Sequence, residues 1–407
     1  MKDPYPSGGI WLAVFVAALG YFVDAYDIML FSIVRNQSLD GLGIPADQAL
    51  EVGVRLLNWQ LAGFLLGGLF WGILGDKKGR LSVLFGSIIL YSVANIANGF
   101  VHGVESYSFW RFLAGVGLSG ELGAGVTLVS ELMPREKRGW GTTLITTVGV
   151  TGVLVAALVG QRFDWRTAYF VGGGMGLVLL VLRLGVRESG LFLALEKKTG
   201  ASKGDFFQFF RYPRKGLIFL SLILATFPVW FIAGVLLTFC PEIGKGMGMT
   251  ELPSPGRAIF FAYLGLPLGD LASGTLSQLF QNRKKVIASF LVLNALSVTS
   301  TLLWGGTSLT VFYALCGCMG FSAGFWAVAV TSAAEQFGTN LRATVATSGP
   351  NFVRGLTIPV TLAFKALIPV WGVLGSASAL AALVLAAAFF GLSNLKETYG
   401  IDLDYMD

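Results

Sequence analysis

The chain has 407 residues, of which 54% are apolar and only 13% are charged, and its formal net charge is +6. Soluble domains carry about 25% charged residues, so this composition excludes a soluble globular protein of this size. Runs of about 20 apolar residues recur along the whole chain and predict a polytopic helical membrane protein. The lysines and arginines lie in the loops between these runs, which favours membrane topology over nucleic-acid binding.

Twelve apolar runs bounded by charged or turn residues predict twelve transmembrane helices. Their approximate limits are residues 10–34, 55–75, 81–101, 107–132, 139–161, 165–185, 214–240, 257–279, 285–304, 308–333, 343–367 and 369–393. The last two are separated because Pro369, Trp371 and Gly372 predict a tight turn outside the membrane.

The loop charges predict the orientation of these helices, because short loops rich in lysine and arginine face the cytoplasm. Nineteen of these residues lie on the side that holds both termini, against six on the opposite side. We therefore expect cytoplasmic termini in a plasma (inner) membrane. The longest cytoplasmic loop lies at the midpoint, and it predicts an N-terminal six-helix bundle (1–186), a linker (187–213) and a C-terminal six-helix bundle with a tail (214–407).

The two predicted bundles repeat one another in sequence. Glycines of span 2 recur 202 residues later in span 8, and a Gly, a Glu and an Arg from span 4 and its loop recur 204 residues later. The pairs are Gly63/Gly265, Gly67/Gly269, Gly72/Gly274, Gly120/Gly324, Glu131/Glu335 and Arg138/Arg342. A parallel repeat of this kind is typical of secondary transporters, whose site lies where the halves meet near the membrane midplane.

Span 2 ends in the sequence GILGDKKGR, which resembles the signature loop of the major facilitator superfamily, G-x-x-x-D-[RK]-x-G-[RK]. The matching residues are Gly72, Asp76, Lys77, Gly79 and Arg80. We expect Gly72 to permit close packing and Asp76 to lie at the N-terminus of a neighbouring helix beside a cation. The second copy has Gln278 in place of the aspartate, so any such latch lies in the N-terminal half.

Span 4 and its loop, from Arg111 to Gly139, resemble the same superfamily through an arginine, a glycine-rich helix, a glutamate and an E-x6-R-G motif at Glu131 and Arg138. More narrowly, they resemble the branch that holds metabolite/proton symporters, aromatic-acid and nicotinate carriers and organic-ion transporters. The segment FVDAYDIMLF of span 1 is similar to the D-G-[FY]-D segment of the aromatic-acid carriers, with Ala25 in place of Gly. The resemblance implies a twelve-helix fold, alternating-access transport, a structural or relay role for Arg111, and gating roles for both copies of the motif.

Several charged residues lie inside predicted spans, where each costs about 2.5 to 3.5 kcal/mol to insert and therefore needs a reason. Asp24 and Asp27 share one face of span 1, and Glu121 and Arg354 lie near the middle of spans 4 and 11. Three acids against one base leave excess acidity, which bound protons or a cationic group of the substrate would neutralise. Each residue is alternatively a structural ion pair.

The resemblance adds a role for Arg354, because in organic-anion carriers an arginine of span 11 binds the negative group of the substrate. We expect Arg111 and Lys365 to lie closer to the external face, where long side chains reach water. Trp230 and Trp326 are candidate cavity-lining residues, and Asn351 and Gln60 are further polar candidates. Phe325 stands in the repeat where Glu121 stands in the first half.

Cysteines inside apolar runs and a single histidine, His102, supply no metal-ligand cluster, so we predict neither a metal nor a cofactor. The chain lacks the HExxH and GxSxG motifs, so an enzyme is not expected. The favoured function is a monomeric carrier in the lipid bilayer that moves a small organic ion, a carboxylate or zwitterion, by symport with protons. Efflux of amphipathic cations is the alternative within transport, and a receptor-like protein that no longer transports is the alternative outside it.

Overall fold

The computed structural model describes residues 7–78, 80–121, 138–184, 211–337 and 339–400. Within these ranges the chain is helical and has no β-strand. The α-helices are α1 (Ser7–Gly41), α2 (Ala49–Lys78), α3 (Arg80–Gly99), α4 (Val104–Leu118), α5 (Arg138–Arg162), α6 (Trp165–Arg183), α7 (Pro213–Phe231), α8 (Cys240–Gly246), α9 (Pro255–Leu279), α10 (Arg283–Trp304), α11 (Leu309–Ala323), α12 (Trp326–Glu335), α13 (Thr339–Gly355) and α14 (Thr357–Asn394).

Side-chain caps account for where several helices begin, because the first N–H groups of a helix lack partners within it. The Asp164 carboxylate accepts the backbone N–H of Arg166 at 3.0 Å at the start of α6. The Asn282 side chain accepts the N–H of Lys285 at 2.8 Å at the start of α10. Pro213 and Pro255 occupy the first turns of α7 and α9, where the missing N–H of proline has no cost.

Nine helical segments of the described residues are long and apolar enough to cross a membrane. The last of them, 348–394, contains the two final predicted spans, and it is interrupted at Gly372, whose φ of 68° and ψ of 174° are not helical. The break in the helix that Pro369, Trp371 and Gly372 predict is therefore confirmed at Gly372, and its position outside the membrane stays a prediction. Helix α5 contains the predicted fifth span, and the fourth span begins in α4 and continues beyond the described residues.

Three of the fully described spans are not single α-helices, and one of them, span 11, passes from α13 to α14 at Leu356. Span 7 contains Pro228 and then a π-helical segment, Ile232–Leu237, before α8 begins. Span 10 is broken at Gly324 and Phe325, between α11 and α12. Polar side chains of α9 satisfy the backbone at the break in span 10, because Asp270 accepts the N–H of Ala327 at 3.2 Å and Ser273 donates to the carbonyl of Gly324 at 2.6 Å.

The glycine repeat places helices in close contact at the same positions in both halves. A side chain at Gly63 or Gly67 of α2 would overlap the backbone of α4, and one at Gly265 or Gly269 of α9 would overlap the backbone of α11. The third pair differs, since a Cβ at Gly72 or Gly274 would meet no described atom within 4 Å. The part of span 4 that follows residue 121 lies outside the described residues, so the close packing expected at Gly72 stays a prediction.

The chain divides into two compact units. The N-terminal unit contains Met1–Phe31 and Trp59–Gly204, and the C-terminal unit contains Ser32–Asn58 and Asp205–Asp407. The last turns of α1 and the first turns of α2 thus belong with the C-terminal unit. The predicted linker, 187–213, lies outside the described residues as far as residue 210, and the predicted domain boundaries stay a prediction.

Candidate transport site

Asp27 is the central acid of the N-terminal unit. It and Asp24 lie on α1 and are both 0% exposed. Neither carboxylate oxygen of Asp27 makes a hydrogen bond to the described residues. Gly172 of α6 provides the room for this group, because a Cβ there would overlap the Asp27 Oδ1 atom. The charged and polar groups that interact with the Asp27 carboxylate are the Arg111 guanidinium and the Asn95 amide.

Arg111 lies on α4 and is 0% exposed. Its guanidinium donates to the side-chain oxygen of Gln60 on α2. It also stands over the ring of Phe31, 5.0 Å from the centroid, and 5.7 Å from that of Tyr169. The expectation that Arg111 reaches water is wrong, because these aromatic and amide partners hold its head group inside the bundle.

Glu121 is paired with an arginine that the sequence analysis did not identify. Arg183, at the end of α6, donates from Nη1 to Oε2 of Glu121 at 3.0 Å and from Nη2 to Oε1. Both side chains are 2% exposed, and Gly20 of α1 packs directly against the pair. The predicted balance of three acids against one base is therefore wrong. Among the described residues, the buried charged side chains of the N-terminal unit are Asp24, Asp27 and Glu121 against Arg111 and Arg183, which leaves one acid in excess.

Arg354 is a buried cation of the C-terminal unit. It lies on α13 with 3% exposure and donates from Nη1 to the side-chain oxygen of Asn351 at 3.1 Å. Its guanidinium stands 5.1 Å from the ring centroid of Trp230 on α7. The fold thus brings three of the predicted site residues together, in a cation–π and amide arrangement that keeps the guanidinium fork oriented.

A small apolar cavity lies between α7, α12 and α13 of the same unit. Its lining residues are Phe219, Leu222, Ile223, Thr226, Trp326, Ala329, Val330, Ala333, Val345, Gly349, Pro350 and Val353. Arg354 is one helical turn beyond Pro350, and Trp230 is one turn beyond Thr226. The Arg354–Trp230 pair therefore lies at one end of the cavity, and Trp326, a predicted lining residue, forms part of its wall.

Ion pairs within the C-terminal unit join the ends of α1 and α2 to the later helices. Arg35 is 0% exposed and donates from Nη2 to both carboxylate oxygens of Glu242 on α8, at 2.7 and 2.8 Å. Its guanidinium also lies 4.6 Å from the ring centroid of Phe239. Lys365 of α14 contacts Glu51 of α2 at 2.6 Å, with 42% of its side chain exposed, so Lys365 reaches the surface as expected.

The predicted gating residues are described only in part. Asp76, Gly79, Arg80, Glu131, Arg138 and Arg342 lie outside the residues whose side chains the structure describes. Glu335 is described, and it pairs with Arg283 at the start of α10, with both of its carboxylate oxygens 2.6 Å from guanidinium nitrogens. Arg283 belongs to the loop that repeats the GDKKGR segment, so this end of the C-terminal unit carries an ion pair despite Gln278.

The chain's tail is attached beside this ion pair through Glu397. Its carboxylate accepts backbone N–H groups of Arg283 and Lys284 at 3.0 and 2.9 Å, and of Thr398 and Tyr399 at 2.9 and 2.8 Å. Burial alone would raise the pKa of Glu397, but these four donors outweigh it and hold the pKa below its ordinary value. The carboxylate therefore ties residues 397–399 to the first turn of α10.

Long apolar helices that enclose buried ion pairs, such as Glu121–Arg183 and Arg35–Glu242, define an integral, multi-pass membrane protein. The chain belongs to the Major Facilitator Superfamily, whose family profile matches residues 10–356. It is a transporter and not an enzyme. In the described residues no three His, Cys, Asp or Glu side chains form a potential metal site.

Relatives with assigned names are also transporters. The niacin transporter NiaP of Acinetobacter baylyi is 27% identical over 368 residues, which cover 81% of each chain. A probable 4-methylmuconolactone transporter of Cupriavidus pinatubonensis is 24% identical and covers 95% of this chain and 90% of that protein. A putative metabolite transport protein of Haemophilus influenzae is 30% identical, but the match spans only 47% of either chain. The inward-open xylose transporter XylE from E. coli has the same fold, with a TM-score of 0.73 at 17% identity over 97% of this chain and 98% of that one.

Proposed function

We propose that the protein is a proton symporter that carries a small organic anion or zwitterion across the membrane by alternating access. The observation that carries this proposal is the buried Arg354 guanidinium, held by Asn351 and Trp230 at the end of an apolar cavity. A desolvated guanidinium binds a carboxylate through paired, charge-assisted hydrogen bonds. The relatives named for niacin and 4-methylmuconolactone support a small organic substrate.

The cavity beside Arg354 favours a substrate with an apolar ring or short hydrocarbon part. Among its lining residues only Thr226 carries a hydroxyl, and the walls are otherwise aliphatic or aromatic. Apolar pockets with a few placed polar groups fix the orientation of a small ligand in this way. We therefore expect the carboxylate at Arg354 and the apolar part towards Trp326.

The proton is assigned to Asp27. Among the described buried side chains of the N-terminal unit, acids outnumber bases by one, and a carboxyl group buried at 0% exposure without a hydrogen bond is most cheaply kept neutral. Arg111 lies near Asp27, so the protonation state of Asp27 changes the charge that faces this arginine. Cation efflux and a receptor role are the alternatives, and the Glu121–Arg183 pair weakens cation efflux because it removes part of the supposed excess acidity.

The contacts of α1 and α2 with the later helices suit an external gate. With both termini in the cytoplasm, the ends of α1 and α2 that carry Arg35 and Glu51 face outward. Their partners Glu242 and Lys365 would separate when the site opens to the outside. The buried Arg35–Glu242 pair is then the stronger of the two contacts, since exposed pairs such as Glu51–Lys365 contribute only about 0.2 to 1 kcal/mol.

The test is ligand binding to purified protein, followed by uptake into proteoliposomes with an inward proton gradient. Nicotinate, benzoate and acetate are compared with a quaternary ammonium cation, by the rise in melting temperature that each causes. We expect the ring-bearing carboxylates to stabilise the wild type, and Arg354→Lys to weaken their binding at least tenfold, because lysine lacks the planar fork. The matched control is Arg55→Lys, at an exposed position of α2. Undiminished carboxylate binding by folded Arg354→Lys, or binding of the cation alone, contradicts the proposal.

A further inference from the structure

Helix α3 has a polar face that the transport site does not account for. Ser92, Asn95 and Asn98 recur at three-residue intervals, and all three are 0% exposed. The two atoms of each amide and the Ser92 hydroxyl make no hydrogen bond to any part of the chain that the structure describes. Because a buried polar group without a partner is costly, side chains of this kind are normally satisfied by protein or by ordered water.

This face leads to Asp27. The Asn95 side chain lies beside the Asp27 carboxylate, but the two groups do not reach the geometry of a full hydrogen bond. On α6, Gly172 packs against Asp27 Oδ1, and Gly176, one turn further, packs against the Ser92 hydroxyl. Asp27 and the polar face of α3 therefore meet on the same side of α6, about one turn apart.

The neighbouring helices of this unit bury further polar atoms. The Gln60 amide nitrogen of α2, the Ser108 hydroxyl of α4 and two nitrogens of Arg111 are buried without a hydrogen bond to the described residues. The titratable and charged side chains that act on Asp27 or share this interior are Asp24, Tyr26, Tyr91, Arg111, Glu121, Tyr169 and Arg183. A buried water molecule makes about three hydrogen bonds to groups of this kind, whereas a dry cavity is lined by apolar atoms.

We propose that Asn98 and Asn95 hold a chain of bound water molecules that runs from the Gly99 end of α3 to Asp27 and continues to Ser92, and that this chain conducts the transported proton to Asp27. A proton taken up from bulk water near Asn98 passes from one water molecule to the next and converts the Asp27 carboxylate to the neutral acid. The two amides hold the water molecules in place and are chemically unchanged. Only the role of this proton in transport rests on the proposed function; the bound water does not.

The water chain is tested by brief hydroxyl-radical labelling of the purified protein in ¹⁸O water, because radicals formed from bound water label the side chains beside it. The reporters are Tyr26 and Tyr91, both 0% exposed, and the reference is Phe290 of α10, which is 1% exposed and stacks on Phe321. After correction for intrinsic reactivity, we expect at least tenfold faster labelling of the two tyrosines than of Phe290. Equal labelling in the wild type overturns the proposal.

A second measurement follows proton transfer to Asp27 directly. A pH jump followed by infrared spectroscopy reports protonation of Asp27 through the carboxyl band that Asp27→Asn removes. We expect Asn98→Leu to slow this change at least tenfold and to lower the labelling of Tyr91. Asn294→Leu is the matched control, since Asn294 is also 0% exposed but donates to Ser322 in the other unit.

An unchanged protonation rate in folded Asn98→Leu overturns the proton path. If that variant does not fold, the protonation rate of Asn98→Ala and the tyrosine labelling of the wild type test the proposal instead. The outcome is separable from that of the proposed function: fast labelling and fast titration of Asp27, without proton-driven uptake, would retain the water path and reject the symporter.

Discussion

The two units share a repeated pattern of helix contacts, but the side chains buried at matching positions differ: they are charged in the N-terminal unit and aromatic in the C-terminal unit. Gly63 and Gly67 bring α2 against α4 as Gly265 and Gly269 bring α9 against α11. One residue after the next repeated glycine, the N-terminal unit has Glu121 in an ion pair, whereas the C-terminal unit has Phe325, also fully buried, at the start of α12. Helix contacts made by glycine depend on the backbone, so the repeat can keep its packing while the side chains inside it change completely.

The buried functional groups are distributed between the two units in the same way. Two acid–base systems, Asp27 with Arg111 and Glu121 with Arg183, lie in the N-terminal unit. The C-terminal unit combines an apolar cavity with Arg354, Asn351 and Trp230. Under the proposed function, the first unit handles the proton and the second handles the substrate.

The largest expected effect is on stability, at the ion pair that has no counterpart in the repeat. Arg183→Met leaves Glu121 buried without its partner and should destabilise the protein by about 3 to 5 kcal/mol, while the double variant with Glu121→Gln should recover much of this loss. Reversible unfolding in mixed micelles measures both. Arg162→Met, at an exposed position of α5, is the control; a single variant as stable as this control would show that the pair is not desolvated.

The second effect is on the coupling of transport to protons, and it compares an aspartate from each unit. Asp27→Asn should reduce proton-driven accumulation of the ligand at least tenfold and leave counterflow exchange measurable, because exchange needs no net proton movement. Asp270→Asn should retain accumulation, since Asp270 accepts the N–H of Ala327 and an amide oxygen also accepts. Proteoliposome uptake with and without a pH gradient separates the two. Loss of accumulation only in Asp270→Asn would assign the proton to the C-terminal unit instead of the N-terminal unit.

The smallest effect concerns the tail of the C-terminal unit. Because the pKa of Glu397 is lowered in the folded protein, its contribution to stability is present above the ordinary glutamate pKa of about 4.3 and is lost as the pH falls through the lowered folded value. Glu397→Gln should therefore reduce stability at pH 7 by about 0.3 to 1 kcal/mol, and the difference from wild type should vanish at the acid end. Melting temperatures between pH 7 and pH 3 measure this stability difference, and Glu251→Gln, at an exposed position, is the control. A difference between wild type and Glu397→Gln that grows as the pH falls would contradict a lowered pKa of Glu397.

Much of the fold followed from the sequence because hydropathy, loop charge and repeated glycines are local signals. The break at Gly372 and the glycine repeat of α2 and α9 are of this kind. The break at Gly324 and Phe325 was missed because its partners, Asp270 and Ser273, come from another helix. The π-helical segment after Pro228 likewise has no signal in hydropathy.

The candidate site was less accessible to sequence reasoning. Arg183 and Arg35 lie near the ends of apolar runs, where hydropathy cannot distinguish an arginine that reaches water from one that turns inward. Their acidic partners are 62 and 207 residues away. The polar face of α3 did leave a signal, since Ser92, Asn95 and Asn98 recur at helical spacing within an apolar run.

The grouping of Ser32–Asn58 with the C-terminal unit limits which substitutions evolution can accept and how chimeric transporters can be built. Because Arg35 and Glu242 are far apart in the chain but form one buried pair, a charge change at either position is tolerated only with a compensating change at the other. Chimeras joined at the midpoint linker would combine an arginine from one parent with an acid from the other. Hybrid transporters should therefore be assembled with residues 32–58 taken from the parent that supplies the C-terminal half.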